Sequence, residues 1–115
     1  MRMVYNYCLE DIKTIAVDFD GTLCEREKFP EIGKPKTELI QWLKQQQENG
    51  KKIILWTCRE GETLIGALQW SKDQGLEFDS VNENLPSTGI KTRKVIADIY
   101  IDDRSCIPLY EEQEI

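Results

Sequence analysis

Lys13-Thr14-Ile15-Ala16-Val17-Asp18-Phe19-Asp20-Gly21-Thr22-Leu23 is the stretch on which the reading of this chain turns. A short β-branched run that stops abruptly at acidic residues and a glycine suits a buried strand ending in a loop. The stretch from Thr22 to Pro35 is polar and turn-rich, punctuated by Pro30, Gly33 and Pro35.

Outward from that run, strands and helices alternate. Lys36 to Asn49 reads as a helix with Leu39, Ile40 and Leu43 on one face, Trp42 on its flank and Gly50 as its stop. Lys52-Ile53-Ile54-Leu55-Trp56 reads as a second buried strand ending at Thr57. A second helix is expected from about Glu62 to Gln74, with Leu64, Ile65 and Leu68 as its inner stripe and Gly75 as its stop. Phe78 to Val81 is a candidate third strand, Asn82 to Gly89 a loop, and Ala97 to Ile101 a last strand ending at Asp102-Asp103. The acidic tail Glu111 to Ile115 is expected to fray. This alternation predicts a single α/β domain over residues 1–115, a three-layer, Rossmann-like, doubly wound parallel sheet covered on both faces. Ligands of such sheets bind outside the carboxyl ends of the strands. Those ends carry Asp18 and Asp20, then Thr57, then Asp102 and Asp103.

Composition narrows the chemistry. With 115 residues there is room for one core and no second domain. The 40% hydrophobic and 31% charged residues describe an ordinary globular chain. Fifteen Lys and Arg against 21 Asp and Glu give a net charge of −6, which argues against broad binding to nucleic acid or acidic membranes. Cys8, Cys24, Cys58 and Cys106 include no C-x-x-C pair, and with no histidine there is no zinc set; they read as reduced thiols. Met1 to Glu10 has no apolar signal-peptide core and no run approaches a bilayer span, so a cytoplasmic location is expected. Without histidine, Ser-His-Asp and Cys-His mechanisms are excluded. Carboxylates crowded at one sheet edge repel one another, and a hard divalent cation relieves them; Mg²⁺, which takes a few carboxylates plus water and phosphate, fits best.

Val17-Asp18-Phe19-Asp20-Gly21-Thr22-Leu23 resembles the first signature of the haloacid dehalogenase superfamily. Leu55-Trp56-Thr57-Cys58-Arg59 resembles its second and Ile101-Asp102-Asp103-Arg104 its fourth, in the family's order over about Ile12 to Arg104. The resemblance implies a Mg²⁺-dependent phosphomonoester hydrolase. In it Asp18 is the nucleophile that forms an aspartyl-phosphate, and Asp20 protonates the leaving alcohol and then activates water. Thr57 hydrogen-bonds a phosphoryl oxygen. Asp18, the backbone carbonyl of Asp20, and Asp102 hold the metal, with Asp103 ligating directly or through water. The lysine of the third signature is Lys91 or Lys94; Lys94 is preferred, although only Val95 to Ile101 separate it from Asp102, fewer than in many family members. Both lysines also fit a solvated basic turn with Arg93. Arg59 and Arg104 are open between substrate contact, pairing with a site carboxylate and plain surface charge. Trp42, Trp56 and Trp70 read as packing residues, and Cys24 and Cys58 as incidental to the chemistry.

Two other readings compete. A receiver-type phosphoacceptor has a similar sheet, an acidic pair, a Thr and a Lys, but there the acidic pair ends the first strand and the acceptor ends the third. A non-catalytic binding module of the same fold is opposed by the filled acidic positions. Neither Thr22 to Pro35 nor the segment after Thr57 is long enough for a cap domain, and the first makes a small flap at most. The site is therefore open to a large substrate or covered by another subunit of a homo-oligomer. A sugar phosphate, a nucleotide or a phosphorylated macromolecule all suit it.

Overall fold

A computed structural model describes residues 9–106; Cys8, most of the Met1 to Glu10 segment and the tail Glu111 to Ile115 lie outside the described residues. Four strands, β1 (Thr14–Val17), β2 (Lys52–Leu55), β3 (Ser80–Val81) and β4 (Ile99–Ile101), pair in the order β3-β2-β1-β4, all parallel. Helix α1 (Thr37–Glu48) joins β1 to β2, and α2 (Gly61–Asp73) joins β2 to β3. The fold is thus the small α/β, Rossmann-like parallel sheet expected. The chain steps from β1 outward to β2 and β3, then returns to the far side of β1 for β4. That reversal sets the topological switch point between β1 and β4.

Why the central strands read as unbroken apolar runs follows from their burial on both faces. Ile15, Val17, Ile53 and Leu55 face the main core, where Leu39, Ile40 and Leu43 of α1 and Ala67 of α2 are buried against them. Ala16 and Ile54, one residue out of phase, face a smaller cluster with Val95, Trp56, Leu85 and Ala97. Both helices therefore share one face. The third layer is a segment with a single 3₁₀ turn, Pro86–Thr88, rather than a helix. Buried Asn84 pins that segment: its amide donates to Ile90 O (3.0 Å) and Thr92 Oγ1 (3.2 Å), and its Oδ1 accepts from Ile96 N.

One expectation is corrected. Ile65 is 67% exposed, not part of the inner stripe of α2. The face that meets the sheet is Leu64, Ala67, Leu68 and Ser71, at i, i+3, i+4 and i+7. Small Ala67 and Ser71, whose hydroxyl bonds back to Ala67 O (2.8 Å), let the helix lie close, which rolls Ile65 outward. Phe78 and Asp79 precede β3 and Ala97 and Asp98 precede β4, because Asp79 and Asp98 turn their carboxylates onto the amino ends of the sheet. Asp79 Oδ2 accepts from Ile53 N (2.8 Å), and Asp98 Oδ2 from Lys13 N (2.7 Å) and Thr14 N (2.9 Å). These acidic residues are structural.

Candidate active site

At the carboxyl end of β1 the ladder continues for one more step: Asp18 N donates to Ile101 O (2.9 Å) and Trp56 N to Val17 O (2.8 Å). Asp18 is thereby set between the ends of β2 and β4, at the switch point. Gly21 then turns the chain with φ +84°, and a Cβ there would lie 2.3 Å from Asp103 Oδ2, so backbone and neighbour both demand glycine. The turn brings Thr22 back under the acids. Its hydroxyl donates to Asp18 Oδ2 (3.0 Å) and accepts from Asp103 N (3.0 Å), joining the β1 and β4 loops.

Asp18, Asp102 and Asp103 each present a carboxylate oxygen, all within 4.8 Å of one another. The three residues are 84 and 85 positions apart in sequence and meet only because β4 pairs with β1. Burial, countered by the Thr22 hydroxyl and reinforced by the charge of Asp102, pushes the Asp18 pKa up to about 6. Asp103 is partly neutralised from outside. Burial works against its charge, yet Arg26 donates to it through Nε (3.0 Å) and Nη2 (3.3 Å) and holds its carboxyl below the usual range. Oxygen-only donors at this separation fit a hard cation, and Asp18, Asp102 and Asp103 are the residues that can hold one.

The Asp20 carboxylate is turned away from this triad. Arg59 takes it in a fork, Nε to Oδ2 at 2.8 Å and Nη2 to Oδ1 at 2.7 Å. Arg59 is only 3% exposed, and the Asp20 bond keeps its guanidinium pKa above the ordinary value despite that burial. Thr57 stands one residue beyond Trp56; its N–H donates to Asn82 Oδ1 (2.8 Å) and its hydroxyl oxygen accepts from Arg59 N (3.1 Å). The Thr57 O–H proton is thus left for an incoming acceptor. Asn82 holds this post with φ +55°, a left-handed conformation asparagine tolerates.

Lys94 places its ammonium 5.3 Å from the Tyr100 ring centroid. Tyr100 pairs with Ala16, and the two precede Asp102 and Asp18 by two residues each, the spacing that sets side chains on one side of a sheet. Among the described residues no ion pair or hydrogen bond joins it to a carboxylate. Lys91 is exposed, and Arg104 is exposed with its N–H on Asp102 Oδ1 (2.9 Å). Cys24 is buried, which raises its thiol pKa, and Cys58 is exposed beside Thr57. Sequence reasoning missed Arg26, which lies 77 positions from its partner with no spacing signal. It also missed the roles of Thr22 and Asn82, although Thr22 sits inside the Asp-x-Asp-Gly-Thr run and Asn82 at the end of a strand.

A solved structure of a conserved protein from Bacteroides thetaiotaomicron is similar to this chain, with a TM-score of 0.76 and 42% identity over 85% of this chain and 83% of that one. No family model matches the chain, and no curated protein matches it.

Proposed function

The chain belongs to one family with that conserved Bacteroides thetaiotaomicron protein, and for this member we propose a magnesium-dependent phosphomonoester hydrolase of the haloacid dehalogenase type, with Asp18 as nucleophile. The observation that carries the reading is the meeting of Asp18, Asp102 and Asp103 within 4.8 Å at the switch point of a parallel sheet.

A phosphate dianion is repelled by three carboxylates. Mg²⁺ held by Asp18, Asp102 and Asp103 would supply the positive charge that lets it approach. The free Asp18 oxygen attacks phosphorus as the ester P–O bond breaks, giving an aspartyl-phosphate. Thr57 donates its hydroxyl proton to a phosphoryl oxygen, and Lys94, after a side-chain swing from Tyr100, adds a second positive charge. Asp20 gives a proton to the departing alkoxide, then takes one from the water that attacks phosphorus and frees Asp18. Among the described residues the loop from Thr22 to Pro35 is the overhang on this side, so the reading extends to a bulky phosphorylated substrate. Among the described residues no helix is long and apolar enough to cross a membrane.

The test is release of phosphate from p-nitrophenyl phosphate with and without Mg²⁺. Asp18→Asn is expected to abolish the metal-dependent rate; undiminished release would overturn the mechanism. A receiver-type module would take up phosphate once from a donor and show no turnover.

A further inference from the structure

Arg59 has five N–H donors, and every one is spent. Nε and Nη2 fork the Asp20 carboxylate; the second Nη2 proton goes to Glu31 O (3.2 Å), and Nη1 goes to Pro30 O (3.2 Å) and Thr63 O (3.5 Å). The rings of Phe19 and Phe29 each lie 5.1 Å from its guanidinium carbon. Nothing is left to grip a phosphate. The partners fall on three elements: the β1 loop through Asp20, the N-terminal turn of α2 through Thr63, and the flap through Pro30, Glu31 and Phe29. The flap is a closed loop, cinched where Glu25 N meets Lys34 O (2.8 Å) and where Gly33 packs so close to Glu25 that a Cβ would fall 2.1 Å from its carbonyl.

We infer that Arg59 is the positioning residue that mounts the Asp20 carboxylate on the docked flap, so that protonation of the leaving group depends on this clamp. The inference rests on the phosphohydrolase reading above. The fork takes one lone pair from each Asp20 oxygen, and a carboxylate has about four acceptor sites, so a free one on either oxygen can carry the proton that Asp20 donates to the leaving oxygen. Lysine has the charge of arginine but cannot reproduce the planar fork or span three elements.

Leaving groups separate this role from general damage. A p-nitrophenolate departs without a proton, whereas the alkoxide of glycerol phosphate needs one. Breakdown of the aspartyl-phosphate also uses Asp20 and is common to both esters, so the readout is kcat/KM, which covers only the steps up to departure of the leaving group. Arg59→Lys is expected to lower it about 100-fold on glycerol phosphate and only a few-fold on p-nitrophenyl phosphate. Asp20→Asn is expected to show the same bias, and the double variant to lose little more than Asp20→Asn alone. Phe29→Ala removes a 61% exposed ring from the clamp without touching the core, and a smaller loss with the same bias is expected there. Equal losses of kcat/KM on both esters, or losses that multiply in the double variant, would overturn the positioning role while leaving the phosphatase reading intact. Release from neither ester by the unaltered protein would overturn both.

Discussion

The charge on Asp18 is the least comfortable feature of the metal-free protein. Its pKa rises from 3.8 to about 6, first through burial and then through the neighbouring Asp102 and Asp103 charges, against the pull of the Thr22 hydroxyl. Between pH 4 and 6 the folded chain then binds a proton that the unfolded chain releases, so stability falls as pH rises through that window. Denaturant midpoints of the metal-free protein should drop across it, and Asp18→Asn should flatten the slope. Arg26 competes with a cation for Asp103, and exposed pairs of this kind contribute at most about 1 kcal/mol. Arg26→Ala is therefore expected to tighten Mg²⁺ binding by up to about fivefold in calorimetric titration. Asp102→Asn should weaken it.

Among the elements, the turn after β1 tolerates least. Gly21→Ala costs about 1–2 kcal/mol for the left-handed backbone alone. It also drives a methyl onto Asp103, so Mg²⁺ binding and thermal stability should fall together. Helix α2 offers the converse contrast. Ile65→Lys, at an exposed site, is expected to change stability by no more than about 0.5 kcal/mol, whereas Ala67→Leu overpacks the sheet face at about 1–3 kcal/mol. Equal effects of the two in chemical denaturation would mean the helix is rolled the other way. Apolar spacing alone shows that α2 is amphipathic but leaves its roll undetermined by one position. The small residues at Ala67 and Ser71 settle it through how closely they allow the sheet to approach.

For the whole molecule, the site bridges the two sides of the chain's reversal, β1 on one and β4 on the other. Occupying it with a ligand bound only by the folded state should stabilise the entire fold. Mg²⁺ at 100 times its Kd is expected to add about 2.7 kcal/mol to unfolding, an increment absent in Asp102→Asn. The local sequence determined the strands, the helices with their glycine stops, and the set of acidic strand ends, because those depend on periodicity and turn chemistry over a few residues. It could not determine that the Thr22 hydroxyl links Asp18 to Asp103 while Asp20 turns to Arg59, that Arg26 guards Asp103, or that Lys94 rests on Tyr100. The Thr22–Asp103, Arg26–Asp103 and Arg59–Asp20 pairings reach across 39 to 81 positions, and the others are choices of side-chain direction. Only the closing of β4 against β1 and the docking of the flap on Arg59 decide them, since contact between distant residues is a property of packing and not of spacing.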